Sequence, residues 1–127
     1  MPEHIIDTSV VLAFFKVEPG WEATGELLRE AGMCSVNASE LVAKFIDFGK
    51  SGEQARELVR ALGIEIFPAD ETLALDSGAL RQGTRHLGLS LGDRFCLALG
   101  QRENLPVYTA DRRWAELAGG IDVRLIR

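Results

Sequence analysis

Short strand-like runs alternate along this chain with segments whose apolar residues recur at helical spacing, and this alternation restricts the possible folds most. A chain that returns to a strand after each helix brings its strands into one sheet in the same direction. We therefore predict an α/β fold whose mostly parallel central sheet of about five strands is flanked by helices on both faces. The strand-like runs are "EHIID", "MCSV", "IEIFP", "LPVYT" and "DVRLI", and helical spacing covers residues 9–16, 21–31, 37–50, 52–62, 71–86, 91–102 and 112–117.

Glycine and proline residues indicate where several of these helices end. Gly32, Gly63 and Gly88 each follow a helical segment, where a residue in the left-handed conformation commonly ends a helix. Pro19-Gly20 predicts a turn between the first two helices. No linker, repeat or low-complexity segment interrupts the pattern.

Length and composition are those of one domain. The 127 residues with 46% apolar content can bury a real core, and we expect a single domain over residues 1–127. No apolar run approaches the roughly 20 residues that span a bilayer. Because the opening "MPEHIIDT" also lacks the basic segment of a signal peptide, we expect a cytoplasmic protein with no membrane contact. Cys34 and Cys96, each within an apolar segment, are predicted to be buried free thiols.

The distribution of charge bears on binding to nucleic acids. The net charge of −5 argues against non-specific binding to a polyanion. However, residues 81–127 hold 8 of the 14 Lys and Arg residues and only 5 of the 19 Asp and Glu residues. This bias is compatible with contact to a nucleic acid, and a solvated surface explains it equally well.

Two acids follow predicted strands directly. Asp7 comes after the first strand and Asp111 just after the fourth, which Thr109 ends. Taken alone, Asp7 or Thr8 is best explained as an N-cap that binds free backbone amides of the next helix. If the two strands are neighbours in a parallel sheet, both carboxylates lie at its carboxyl edge, where open α/β sheets bind ligands.

Two further acids share a local pattern at the start of predicted helices. Asn37 precedes Glu40 by three residues in "NASELVAKF", and Ser90 precedes Asp93 by three in "SLGDRFCLALG". This spacing is typical of a capping box, in which the acid binds the backbone amide of the cap residue. The same spacing also places an acid on the first turn of a helix, directed at the space beside Asp7 and Asp111. Both explanations remain open.

Four carboxylates in one cleft require a counter-charge, because like charges raise one another's pKa. Mg²⁺ and Mn²⁺ prefer oxygen ligands, and Mg²⁺ keeps several waters, so that a few carboxylates suffice. Such a site activates water and neutralises the charge of a phosphodiester. The hydroxyls of Thr8, Ser9 and Thr109 are candidates for orienting the waters or carboxylates.

The chain resembles PIN-domain ribonucleases, most closely the VapC-like toxins of type II toxin–antitoxin systems. The matching segments are "IIDTSVVLAFF", "CSVNASELVAKF", "LGDRFCLALGQRENLPVYTADRRW" and the final "DVRLI", which occur in the family's order over nearly the whole chain. The resemblance implies a PIN-like domain and a Mg²⁺- or Mn²⁺-dependent endoribonuclease. It also implies that the catalytic and metal-binding acids are Asp7, Glu40, Asp93 and Asp111, supported by Ser9 and Thr109. Arg94 and Arg112 are weaker candidates for contacts with RNA phosphates.

The resemblance also implies partners. VapC-like toxins are neutralised by a small antitoxin that lays a helical segment in a groove, and they tend to form homodimers. Aromatic residues that could line such a groove are Phe14, Phe15, Phe45 and Phe48, although their spacing is also typical of a core, and Trp21 is a candidate for an exposed interface position.

Three alternatives of other classes remain. A non-catalytic PIN-like binding module would keep the fold without the activity. A phosphoacceptor receiver-like domain has similar length and alternation, but the expected acidic pair and a late Lys are missing, since no Lys follows Lys50. A dehalogenase-like phosphatase would need an acid at position 9, which is Ser9 here.

Overall fold

Five strands form one sheet in the computed structural model, which describes residues 1–117 and 120–127. The strands are β1 (His4–Ile6), β2 (Ala31–Cys34), β3 (Glu65–Phe67), β4 (Val107–Thr109) and β5 (Val123–Leu125). They are parallel throughout and lie in the order β3-β2-β1-β4-β5, which confirms the predicted parallel sheet. The chain builds outward from β1 to β3 on one side and then returns to β4 and β5 on the other. A crevice is expected at such a reversal, outside the carboxyl ends of β1 and β4.

The helices connect these strands. They are α1 (Thr8–Lys16), α2 (Trp21–Leu27), α3 (Ser35–Asp47), α4 (Gly52–Ala61), α5 (Glu71–Ala79), the single turn α6 (Arg81–Thr84) and α7 (Leu91–Glu103). Short 3₁₀ turns cover Arg85–Leu87 and Arg112–Glu116. Because α1 follows β1 directly and α3 follows β2 directly, both of these helices begin at the carboxyl edge of the sheet.

Adjacent strand residues face opposite sides of the sheet, and the core is correspondingly divided into two layers. Ile5 and Ile6 are both fully buried, but Ile5 packs with residues of α5 and α7 whereas Ile6 packs with residues of α1, α3 and α4. The first layer includes Leu73, Cys96, Leu99 and Trp114, and the second includes Val10, Leu41, Phe45 and Ala55. Helices on both faces are therefore confirmed, and Cys34 and Cys96 are buried free thiols as predicted.

Two helix ends differ from the sequence prediction. Gly32 does not end a helix but lies within β2, where a Cβ atom would stand 2.8 Å from the ring of Phe67 on the neighbouring strand. The helix predicted over residues 71–86 is broken, because Gln82 has an extended ψ of 123° and Gly83 a positive φ of 89°. Gly63 and Gly88 do adopt the predicted left-handed conformation, with φ of 69° and 63°.

The start of α3 also differs, and this matters for the site. The helix begins at Ser35, two residues before the predicted start, and Cys34 is its N-cap. Asn37 is therefore an internal helical residue, and the predicted capping role is wrong for it. Along the described ranges, no helix is both long and apolar enough to cross a membrane.

Candidate active site at the carboxyl edge of the sheet

The four predicted acids line one open cleft of about 240 Å³ at the carboxyl edge of the sheet. Asp7 is the N-cap of α1, Glu40 lies in α3, Asp93 is in the first turn of α7, and Asp111 caps the 3₁₀ turn after β4. The cleft is also lined by Thr8, Ser9, Leu12, Asn37 and Lys44. Four segments that are distant in sequence thus bring their carboxylates to one place.

Asp7 lies deepest in the cleft, with 6% of its surface exposed. One carboxylate oxygen accepts hydrogen bonds from Ser9 Oγ at 2.5 Å and from the amide of Val10 at 3.3 Å, and the other accepts from Thr109 Oγ1 at 2.7 Å. Burial raises the pKa of Asp7 from 3.8 to about 6, although the two hydroxyl groups lower it and thereby oppose the shift. The carboxylate is held in place, and no residue in the described part of the chain pairs with it as an opposite charge.

The two hydroxyl groups also connect the ends of β1 and β4. Ser9 Oγ accepts a hydrogen bond from the amide of Ala110 at 2.9 Å, and Thr109 Oγ1 accepts one from the amide of Asp111 at 3.0 Å. Each hydroxyl therefore donates to Asp7 and accepts from the backbone just after β4. This arrangement fixes the position of Asp111 relative to Asp7.

Glu40 is held by a neighbour on its own helix. The Nδ2 atom of Asn37 donates to Glu40 Oε1 at 3.0 Å and to the carbonyl oxygen of Gly92 at 3.1 Å. The carboxylate therefore lies against the first turn of α7, beside Asp93.

Asp93 forms the capping box that the sequence pattern predicts. Its Oδ2 accepts from the amide of Ser90 at 2.9 Å, while Ser90 Oγ accepts from the amide of Asp93 at 3.1 Å. Of the two capping patterns in the sequence, this one is confirmed. Because Asp93 also lines the cleft, capping and a position in the site are compatible.

Asp111 forms the shortest of the described ion pairs. Nη2 of Arg113 lies 2.5 Å from Asp111 Oδ2 and 3.8 Å from Asp93 Oδ2, while Nη1 donates to the carbonyl of Leu87 at 3.0 Å. Hydrogen bonds from Arg113 lower the pKa of Asp111 below its usual range. A single guanidinium group thus partly neutralises two of the four acids.

The basic residues at the site differ from those singled out in the sequence. Arg113 bridges two acids and Lys44 lines the cleft, whereas neither Arg94 nor Arg112 is among its described lining residues. Arg94 is partly buried, and its Nε has no hydrogen-bond partner within the described chain. Lys44 follows Glu40 by four residues in α3, and this spacing places both side chains on one face of the helix. The spacing is the sequence signal that could have identified Lys44 as a residue of the cleft.

The donor set suits a hard divalent cation. Within residues 1–117 and 120–127, no three His, Cys, Asp or Glu side chains are arranged to hold a metal ion, and protein donors bind the four carboxylates. All the acidic ligands nevertheless offer oxygen, and the buried Oδ1 of Asn37 has no hydrogen-bond partner in the described part of the chain. Oxygen donors of this kind are those that Mg²⁺ and Mn²⁺ prefer.

The parallel sheet, the reversal of strand order at β1 and the acidic cleft outside β1 and β4 define an α/β domain with an acidic site at the carboxyl edge of its sheet. Comparison with protein families makes the identification specific: the model of the PIN domain matches residues 4–120. The chain therefore belongs to the PIN domain family. No curated protein is similar enough in sequence to match.

Solved structures share the fold. The chain is similar to a toxin–antitoxin complex from Klebsiella pneumoniae, with 20% identity over 98% of each chain and a TM-score of 0.75. It is similar to the DNA-bound VapBC of Salmonella typhimurium, with 19% identity over 100% of each chain and a TM-score of 0.78. VapBC-5 of Mycobacterium tuberculosis matches with 23% identity over 98% of this chain and 97% of its own, at a TM-score of 0.59. At these identities the likeness shows the fold.

Proposed function

We propose that residues 1–127 form one PIN-like domain that acts as a metal-dependent endoribonuclease, the toxin of a toxin–antitoxin pair. The single observation behind this proposal is the convergence of Asp7, Glu40, Asp93 and Asp111 on one cleft of a PIN domain. The family match and the solved toxin–antitoxin folds support a ribonuclease toxin. The charge balance of the cleft supports a cation.

Protein cations compensate the four acids only in part. Arg113 pairs with Asp111 and approaches Asp93, and Lys44 is the one basic residue among the described residues that line the cleft. Asp7 is buried with no charged partner among residues 1–117 and 120–127, which is unfavourable for the ionised carboxylate. We propose that Asp7, Glu40, Asp93 and Asp111 hold Mg²⁺ or Mn²⁺, which would neutralise phosphodiester charge and activate water.

The residues around the acids set their positions for this reaction. Ser9 and Thr109 fix both oxygens of Asp7, and the same hydroxyls hold the backbone that carries Asp111. Fixed carboxylates lower the cost of assembling the site when substrate binds. The open cleft suits an extended RNA strand better than an enclosed small molecule, and Arg94 and Arg112 remain proposed contacts to its phosphates.

An antitoxin and a second copy of the chain are the proposed protein partners. Exposed apolar side chains are concentrated at the ends of α1 and α3 and the start of α2: Phe15, Val17, Trp21, Ile46 and Phe48. Phe45, in contrast, is buried in the core. We expect a helical segment of an antitoxin to cover part of this exposed set, with homodimerisation and a cytoplasmic location as further expectations.

A cleavage assay tests the proposed activity. Purified protein is incubated with total RNA and Mg²⁺ or Mn²⁺, with parallel reactions in EDTA and with Asp7→Asn. Asp76→Asn is the matched control, because Asp76 is an exposed acid in α5 outside the cleft. Cleavage is expected from wild type and Asp76→Asn only in the presence of metal, and it is expected to be absent with Asp7→Asn.

Two outcomes would contradict the proposal. Cleavage that survives EDTA or Asp7→Asn would exclude the metal–carboxylate mechanism. No cleavage of any RNA, together with normal growth of cells that express the protein, would favour a non-catalytic PIN-like binding module.

A further inference from the structure

Asn37 makes two hydrogen bonds that determine the orientation of its amide. The side chain is 2% exposed, and Nδ2 donates both to Glu40 Oε1 and to the carbonyl oxygen of Gly92. Because a carboxylate oxygen and a backbone carbonyl only accept, the nitrogen rather than the oxygen must face them. The opposite atom, Oδ1, is buried and has no hydrogen-bond partner among the described residues.

Gly92 provides the space in which the Glu40 carboxylate lies. It is the second residue of α7, and a Cβ atom on it would be 2.6 Å from Glu40 Cδ. Real Cβ atoms essentially never come within 3.0 Å of such a neighbour. Any side chain at position 92 would therefore move the carboxylate away from the first turn of α7, where Asp93 is located.

We propose that Asn37 and Gly92 are positioning residues for Glu40 within the cation site. The inference rests on the proposed function and assigns these two residues to the same cleft. Glu40 is on the surface of α3, and a long exposed side chain loses conformational freedom when it is held in one geometry. Asn37 supplies the hydrogen bond that holds it, and the missing side chain of Gly92 supplies the room.

The unpartnered Oδ1 of Asn37 is a second, independent indication of a ligand. Asn37 lines the cleft, and the carboxylates that surround the cleft are acceptors that cannot donate to another oxygen. Buried amide oxygens normally have a partner. A hydrated cation would provide one, since Mg²⁺ keeps several of its waters when it binds to proteins.

Binding of Mn²⁺ to Asn37→Ala, measured by calorimetry, tests the link to Glu40. Loss of a residue that orients a metal ligand typically weakens metal binding by about 10–100-fold, and we expect an effect in that range. In a Glu40→Gln background the same substitution is expected to change the dissociation constant by less than about 2-fold, within the scatter of additive effects, because the carboxylate that Asn37 positions is already gone. Equal effects in both backgrounds would refute a role through Glu40.

Gly92→Ala tests the same position without touching a buried polar group. It is expected to weaken Mn²⁺ binding by about 10-fold while the melting temperature does not fall, since alanine favours the helix. Gly52→Ala is the matched control, because Gly52 also lies in the first turn of a helix with a capping box but has nothing within 4 Å of its missing Cβ. We expect its Mn²⁺ affinity to equal that of wild type.

The results separate this inference from the proposed function. If wild type binds Mn²⁺ and both Asn37→Ala and Gly92→Ala bind it equally well, only the positioning role is refuted. If wild type binds no Mn²⁺ and cleaves no RNA, the proposed function is refuted as well.

Discussion

Replacing Arg113 with glutamine is expected to tighten the binding of divalent cations. The Arg113 guanidinium binds both oxygens of Asp111 and lies 3.8 Å from Asp93. These are two of the four proposed metal ligands, so a cation must compete with this internal positive charge. Removal of the charge frees both carboxylates.

The expected magnitude follows from the exposure of the pair. The side chains of Arg113 and Asp111 are 51% and 25% exposed, so solvent screens their attraction considerably. A forked pair of this kind contributes about 1 kcal/mol, near the upper end for exposed ion pairs. If a cation has to break the pair, Arg113→Gln lowers the dissociation constant for Mn²⁺ by about 5-fold.

Calorimetric titration with Mn²⁺ at physiological salt measures this change. Arg112→Gln is the matched control, because Arg112 is the neighbouring residue and its side chain is exposed outside the cleft. This variant removes the same charge without touching Asp111 or Asp93. A dissociation constant for Arg113→Gln equal to or weaker than that of Arg112→Gln would refute the competition argument. It would show that Arg113 supports the cation-bound form instead.

Three further predictions concern stability and are measured by thermal or urea unfolding. Asp7→Asn in EDTA is expected to stabilise the protein at pH 7.5 by up to about 3 kcal/mol. Because the pKa of Asp7 is about 6 in the folded protein against 3.8 otherwise, the wild type loses stability as pH rises between these values. The stability gained by Asp7→Asn should therefore vanish near pH 4. A gain that is independent of pH would contradict the burial argument. Gly100→Ala should lower the free energy of unfolding by about 1–3 kcal/mol, because the new Cβ would collide with the branched side chain of Val107 in the core. Gly78→Ala is the control and should be neutral or stabilising, because nothing lies within 4 Å of the missing Cβ. Trp114→Ala should lower the free energy of unfolding by about 3–5 kcal/mol, since this side chain is fully buried. A loss below about 1 kcal/mol would show that the core collapses into the space left by the indole ring.

Much of the fold was predictable because it depends on local patterns. The apolar runs of β1 and β4 mark strands buried on both faces, and the regular return to a strand after each helix predicts parallel pairing. The Ser90–Asp93 capping box is also a local pattern, since its donors and acceptors lie within three residues. The break at Gln82 and Gly83 was not predicted, because helical spacing continues through it.

The candidate site shows where sequence reasoning ends. Asn37 and Ser90 occupy the same position relative to an acid, yet only Ser90 is a cap, because α3 continues directly from β2 and begins before Asn37. Arg113 was one of several basic residues in the sequence, and only the turn after β4 brings it onto Asp111 and towards Asp93.

The sequence by itself determined the order and type of the main elements and singled out the four candidate acids, because periodicity, strand-end position and helix-start position depend on residues close together in the chain. The tertiary structure decided how those acids are held. Ser9 at the start of α1 and Thr109 at the end of β4 hold Asp7, Asn37 and Gly92 position Glu40 between two helices, and Arg113 partly neutralises Asp111. The Thr109–Asp7 and Gly92–Glu40 contacts join residues far apart in sequence, and only the packing of the chain brings these residues together.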